Sequence, residues 1–321
     1  MPHLRHPFSF DPSYGFTLEQ LLDIKPPDFP ADFAQFWQRR YLQTLKTQPV
    51  FKLEPAYKQA GFRVFDVHYQ STDDFTIGGW LLEPEYQDVH QVIMVGHGYG
   101  GREQPDFHFN IPNTAFLFPC FRGISRSRSP RVSDQPHQHV LKDIADPQHY
   151  ILGGCVDDLW LGVSLLHELY PAAKEQTGYM GISFGGGIGA LALPWDKRIK
   201  RGHFNVPTFG CHPLRLALPT IGSGSAVTEY VQQLGHTPDT LTYYDAAVAA
   251  TFAVQPIHIA AALFDPMVAP PGQFAIYNAW TGPKKLFVLD AGHFEYPGQS
   301  EQNQQLLGQL QMFFGDWSKS I

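Results

Sequence analysis

Apolar side chains first recur at helical spacing at Phe33, Phe36, Trp37, Tyr41 and Leu45, a stripe that predicts an amphipathic helix over 33–45 docked on the body of the molecule. Residues 1–16 before it read as a polar connector, so 1–50 forms an amino-terminal docking segment. The period then changes to that of strands. Alternation and β-branching mark 62–69 and 76–82, while 92–95 and 115–118 are continuous apolar runs of the kind buried on both faces. Helical spacing returns at Val156, Leu159, Trp160, Val163 and Leu166, and the helix over 156–170 leads into a short strand, 178–182, and a small-residue helix, 184–193. A strand at 202–206, a polar helical insertion over 212–252, a strand at 257–264, a helix at 271–280, a strand at 286–289 and a terminal helix at 302–314 complete the pattern. Strands that alternate with helices predict a mostly parallel central sheet with helices on both faces, as one α/β domain over 1–321 with a helical cap insertion. The segment 122–150 shows no period and reads as a long loop rich in arginine and histidine.

Composition narrows the class. The 321 residues are 43% apolar and 17% charged, enough to bury a full core and too apolar for disorder. Lys and Arg number 23 against 30 Asp and Glu, a net charge of -7, which disfavours nucleic acid as a partner. Cys120, Cys155 and Cys211 are too scattered for a disulfide framework or a thiolate zinc site. No apolar signal region opens the chain and no run is long enough to span a bilayer, so the expectation is a cytoplasmic protein without a membrane partner.

Gly181-Ile182-Ser183-Phe184-Gly185 matches G-x-S-x-G between the short strand and the small-residue helix, the context in which that motif presents a nucleophilic hydroxyl. The bland alternative is a serine that caps the helix. A serine needs a base and an acid to orient it, in the chain order Ser, Asp or Glu, His. Asp265 ends the strand at 257–264 and His293 follows the strand at 286–289, so both fall where such a triad requires them. Asp290 competes for the acid and His97 for the base; the first sits better as a residue shaping the His293 loop, the second as a hydrogen-bonded loop histidine. An oxyanion needs two main-chain N–H donors, expected from Phe184 and from Tyr99 in Gly96-His97-Gly98-Tyr99-Gly100-Gly101. That loop also satisfies G-x-G-x-x-G, but Pro105 and Pro112 interrupt the helix a dinucleotide site requires, and no acid ends the next strand. His137, His139 and His149 lack metal-ligand spacing, and Arg122, Arg126, Arg128 and Arg131 read as solvated or partner-facing. No metal and no cofactor are expected.

Taken together these residues resemble the acetyl xylan esterase and cephalosporin C deacetylase family of α/β-hydrolases over nearly the whole chain. The resemblance is carried by Pro30-Ala31-Asp32-Phe33-Ala34-Gln35-Phe36-Trp37, by Gly96-His97-Gly98-Tyr99, by the serine motif, and by the stretch from Asp265-Pro266-Met267-Val268-Ala269-Pro270-Pro271 through Tyr277-Asn278-Ala279-Trp280 to Gly292-His293. It implies a triad of Ser183, Asp265 and His293, an oxyanion hole from the amides of Tyr99 and Phe184, and ring-like homo-hexamers. Three positions depart from the family pattern: Phe184 replaces the usual glutamine, Ile124 follows Arg122-Gly123 where glutamine is usual, and Phe294 separates His293 from Glu295. The expected function is a serine carboxylesterase that removes short acyl groups, acetyl foremost, from carbohydrate-like alcohols through an acyl-enzyme. The alternatives are a related serine hydrolase acting on another acyl ester, a thioester or a peptide, and a non-catalytic hydrolase-like binding protein.

Overall fold

The computed structural model describes residues 4–48 and 50–317. Its frame is a sheet of nine strands: β1 (Phe51–Gln59), β2 (Phe62–Gln70), β3 (Thr76–Pro84), β4 (Gln91–Gly96), β5 (Thr114–Pro119), β6 (Thr177–Ile182), β7 (Arg201–Asn205), β8 (Ile257–Ala262) and β9 (Lys284–Leu289). They lie in the order β1-β2-β3-β5-β4-β6-β7-β8-β9. The first three strands are antiparallel and β3 meets β5 antiparallel, while every pair from β5 to β9 is parallel. Chain order reverses around β4, which has β5 on one side and β6 on the other; in open α/β sheets such a switch point marks the ligand end of the strands.

Successive residues along a strand serve opposite layers. Met94, Leu117 and Tyr179 join the core beneath the helices Phe33–Thr44, Ile151–Leu169, Phe184–Ala192 and Pro270–Ala279. Their neighbours Val95, Phe118 and Met180 face the other way, into a smaller core closed by the helix Gln299–Gly315 through Leu306, Leu310, Phe313 and Phe314. The expected amino-terminal helix runs Phe33–Thr44 and buries Phe33, Phe36 and Trp37, with the Trp37 indole donating to the Tyr243 carbonyl at 2.8 Å. Leu45, assigned to its apolar stripe, lies outside the helix and is exposed.

Three expectations need correction. Strand β1 was not expected; Phe51 and Leu53 alternate with Lys52 and Glu54, but the rest of the strand is an exposed edge, with a register shift at Pro55 and Tyr57 that suits a proline on the outermost strand. The stretch before residue 16 is more than connector: Pro12 is buried and its carbonyl accepts from the main-chain N–H of Asp265 at 3.0 Å. Segment 122–150 is not a solvated loop. It holds a short helix, Pro136–His139, and Arg122 is buried against Asp158 with an Nη2–Oδ1 distance of 2.7 Å. Arg126, Arg128 and Arg131 stay exposed as expected, though each has a partner on the molecule: Arg126 stacks on Trp80, Arg131 on Phe75, and Arg128 pairs with Asp134. Segment 212–252 folds as four helices; the last, Ala246–Ala250, is wholly buried against Phe184–Ala192 and Pro270–Ala279.

Candidate active site

Ser183 stands between β6 and the helix Phe184–Ala192 with φ 52° and ψ -110°, a left-handed conformation that costs a non-glycine residue ~1–3 kcal/mol. Its surroundings over-determine the bend. The Ser183 N–H donates to the Asn205 carbonyl at 2.8 Å, and the Ser183 carbonyl accepts from Gly187 at 2.9 Å and Thr208 at 3.2 Å. Gly185 allows the closest approach: a Cβ there would meet the Gly96 carbonyl carbon at 2.7 Å and the carbonyl oxygen of His97 at 2.8 Å. The Ser183 side chain makes no capping bond to the helix, so the helix-cap alternative fails.

His293 and Asp265 reach the serine from the ends of β9 and β8. The imidazole Nε2 lies 2.9 Å from Ser183 Oγ, and Nδ1 lies 2.8 Å from Asp265 Oδ2. The carboxylate is fully buried, its Oδ1 accepting from the main-chain N–H groups of Met267 and Val268 at 2.9 Å each. Its Oδ2 also accepts from Gln273 Nε2 at 3.0 Å, which fixes the edge presented to the histidine. Gly292 lets the His293 loop close on the acid, because a Cβ there would collide with Asp265 Oδ2. Burial alone would depress the His293 imidazole, but the charge and hydrogen bond of Asp265 outweigh it and hold its pKa above the usual imidazole value. The serine oxygen therefore sits against an imidazole whose far nitrogen is tied to a carboxylate.

The competing residues go elsewhere. The Asp290 main-chain N–H donates to Gln302 Oε1 at 3.1 Å, and its carboxylate is not a partner of His293. His97 uses both ring nitrogens on the main chain: Nδ1 donates to the Gly98 carbonyl at 2.6 Å, and Nε2 accepts from the Phe121 N–H at 3.0 Å. Burial lowers its pKa to about 4, so it is a neutral brace for the β4 loop. Within that loop the Tyr99 ring stacks on Phe184 with centroids 4.1 Å apart. Its hydroxyl donates to His139 Nδ1 at 3.2 Å, while His139 Nε2 donates to the Arg122 carbonyl at 2.9 Å. Neither the Tyr99 nor the Phe184 main-chain N–H meets an acceptor among the described residues, which leaves both free to donate. Ile124 is buried, and Phe294 packs on Phe8 and Phe264, placing two of the three unusual positions in local packing. Among the described residues no cluster of potential metal ligands exists.

Sequence reasoning missed Gln273, the Arg122–His139–Tyr99 chain and the Pro12 contact. Gln273 carried a weak signal, a polar residue between Gly272 and Phe274 in a buried first turn. The other two join residues remote in sequence and left none.

A mostly parallel sheet with a serine on a strained strand-to-helix turn, followed in sequence by an acid and a histidine, defines an α/β-hydrolase. The acetyl xylan esterase (AXE1) family model matches residues 13–311, and the chain belongs to that family, whose members are serine ester hydrolases acting on carbohydrate acetyl esters. Solved structures agree on the fold. An acetyl xylan esterase from Paenibacillus sp. R4 superposes with a TM-score of 0.81 at 21% identity, covering 92% of this chain and 99% of its own. Acetyl xylan esterase 1 from Thermoanaerobacterium sp. JW/SL YS485 gives 0.78 at 18% identity, covering 94% and 99%. An acylaminoacyl peptidase from Pyrococcus horikoshii gives 0.61 at 15% identity, covering 85% of this chain and 42% of its own.

Proposed function

We propose that Ser183, His293 and Asp265 are the catalytic triad with which this esterase removes acetyl groups, and that the N–H groups of Tyr99 and Phe184 stabilise the oxyanion. The observation that carries the reading is the continuous relay from Asp265 Oδ2 to His293 at 2.8 Å and from His293 to Ser183 Oγ at 2.9 Å. His293 takes the serine proton as Oγ attacks the ester carbonyl, then gives it to the departing alcohol; water repeats the sequence on the acyl-enzyme. Asp265 holds the tautomer and stabilises the imidazolium. The acetyl preference rests on the family, and the Tyr99–Phe184 stack, with centroids 4.1 Å apart, braces the loop that carries the Tyr99 N–H.

The test is hydrolysis of aryl esters from acetyl to octanoyl by the native protein and by Ser183→Ala. Acetyl ester should be cleaved best, and the substitution should lower kcat by a factor on the order of 10⁵–10⁶. Activity that survives the substitution would remove Ser183 as the nucleophile, and a rate that rises with chain length would remove the acetyl preference.

The remaining expectations belong to the same reading. Segment 212–252 acts as a cap, a role supported by the Ile221 N–H bond to the Pro266 carbonyl on the acid loop, 3.0 Å long. Segment 1–50 acts as a docking arm, of which 1–3 and 49 lie outside the described residues. No described helix is long and apolar enough to cross a membrane. A cytoplasmic location is supported by Cys120, Cys155 and Cys211, all free and buried, and cell fractionation tests it. Cephalosporin deacetylation and a ring-like hexamer rest on the family resemblance; product analysis and light scattering test them.

A further inference from the structure

Phe184, the third of the unusual positions, is fully buried beside the nucleophile. Its ring stacks on Tyr99 with centroids 4.1 Å apart and meets His97, Phe121, His139 and Phe209 at 5.4–6.2 Å. The two N–H groups assigned to the oxyanion, those of Tyr99 and Phe184, are held very differently. Phe184 opens a helix, and the next N–H, of Gly185, donates to the His97 carbonyl at 2.9 Å. Tyr99 has no such frame. It lies in the loop after β4, its main chain makes no hydrogen bond among the described residues, and the adjoining Gly100 is exposed.

The Tyr99 side chain supplies the frame instead. One hold is the ring on Phe184; the other is the hydroxyl, 3.2 Å from His139 Nδ1. His139 Nε2 lies 2.9 Å from the Arg122 carbonyl, which can only accept, so Nε2 carries the hydrogen of the ring and Nδ1 accepts from the tyrosine. Burial lowers the His139 pKa to about 4, which keeps the imidazole neutral. Gly123, at φ 83°, lets that imidazole lie against the main chain: a Cβ there would come within 3.2 Å of His139 Cδ2 and 3.3 Å of Nε2. Arg122 is fixed in turn by Asp158, whose carboxylate accepts from the Arg122 main-chain N–H at 2.9 Å and from Nη2 at 2.7 Å. Asp158 belongs to the buried helix Ile151–Leu169, so a line of bonds runs from a rigid element to a loop residue that the main chain leaves unheld.

We propose that His139 is a positioning residue for the oxyanion hole: by accepting from the Tyr99 hydroxyl it fixes where the Tyr99 N–H meets the oxygen that becomes negative. The proposal rests on the reading of Tyr99 and Phe184 as oxyanion donors, and it gives segment 122–150 a part in the reaction. A hydrogen bond weakens steeply as its angle closes, and this one strengthens as charge develops on the oxygen. Losing the hold therefore falls on kcat and leaves KM in place.

Tyr99→Phe deletes the hydroxyl while keeping the N–H and the ring on Phe184. His139→Phe deletes the acceptor from the other end, and His139→Gln keeps an acceptor beside a donor. The readouts are kcat and KM for 4-nitrophenyl acetate, the affinity for phenylboronic acid, whose adduct with a serine oxygen is a tetrahedral anion, and thermal melting. Tyr99→Phe and His139→Phe should each lower kcat about tenfold with KM within about twofold, less than the ~10²–10³ that follows outright removal of an oxyanion donor. Boronate affinity should weaken by the same factor, the double variant should be no slower than either single one, and His139→Gln should recover most of the loss. A kcat within about twofold of native in Tyr99→Phe would overturn the proposal, as would losses that multiply in the double variant or an unchanged boronate affinity. Tyr99→Phe carries the test even where His139→Phe fails to fold. Failure of the oxyanion reading itself shows separately, as a crystal structure of the native boronate adduct in which no boronate oxygen lies within hydrogen-bond reach of the Tyr99 and Phe184 N–H groups.

Discussion

Asp265→Asn is the sharpest probe of the site, because the hydrogen bonds around the carboxylate dictate how the amide must sit. Oδ1 faces two main-chain donors, Met267 N–H and Val268 N–H, at 2.9 Å each. An asparagine keeps those bonds only by placing its carbonyl oxygen there, which leaves its NH₂ at the Oδ2 position. That NH₂ then faces the Gln273 amide, now donor against donor, and His293 Nδ1, to which it can only donate. The imidazole is forced to carry its proton on Nε2 and cannot accept one from Ser183. Loss of the base predicts a fall in kcat on the order of 10³–10⁴, which corresponds to ~4–5.5 kcal/mol of transition-state stabilisation. The donor conflict with Gln273 adds a stability loss of ~1–3 kcal/mol, visible in urea melts. The assay is kcat/KM for 4-nitrophenyl acetate as a function of pH. In the native enzyme the acid limb should lie above the usual imidazole value, since Asp265 raises His293 against the opposing effect of burial. With the carboxylate gone, burial acts alone and the limb of any residual activity should move to lower pH. Activity within tenfold of native with an unmoved acid limb would refute the assignment of Asp265.

Three further outcomes follow from the same geometry. Because His293 must be neutral to act as base, native kcat/KM should drop as pH falls through its raised pKa; the stability contributed by its pairing with Asp265 runs the other way, full below the unfolded imidazole value of ~6.5 and lost as pH rises through the folded one, which pH-resolved denaturation can check. Gly185→Ala should destabilise by ~1–3 kcal/mol and also lower kcat, since the added methyl presses on the main chain of Gly96 and His97 that leads to Tyr99; melting and kinetics measured together separate this from a purely structural defect. Arg122→Met should cost ~3–5 kcal/mol in chemical denaturation by leaving Asp158 buried and unpaired, and a loss below 1 kcal/mol would show the pair to be dispensable.

The meeting of Ser183, His293 and Asp265 was legible because the segments that carry them obey local rules. A short apolar strand, glycines on both sides of Ser183 and a small-residue helix define the turn, and Asp265 and His293 follow apolar strands at their carboxyl ends. The parallel core was legible for the same reason, since doubly buried strands are continuous apolar runs. What escaped was decided by partners distant in sequence. Arg122 among serines and arginines looks like surface until Asp158, Ser71 and Thr72 close around it. Strand β1 lies along an exposed edge, so only Phe51 and Leu53 are half-buried and the apolar pattern is too short to mark the strand.

The contact between Pro12 and Asp265 also bears on how the molecule is made. This stretch is made before β8 and must wait for it, because the donor to the Pro12 carbonyl, the Asp265 N–H, lies in the segment that leads out of that strand. Stacking along His6, Phe8, Phe10 and Tyr14 and the Tyr14 hydroxyl bond to the Pro219 carbonyl, 2.7 Å long, fasten the same arm across that loop. The acid loop therefore gains its final support late in synthesis. A bulky tag fused ahead of the arm would slow maturation of the enzyme more than it would disturb the finished fold.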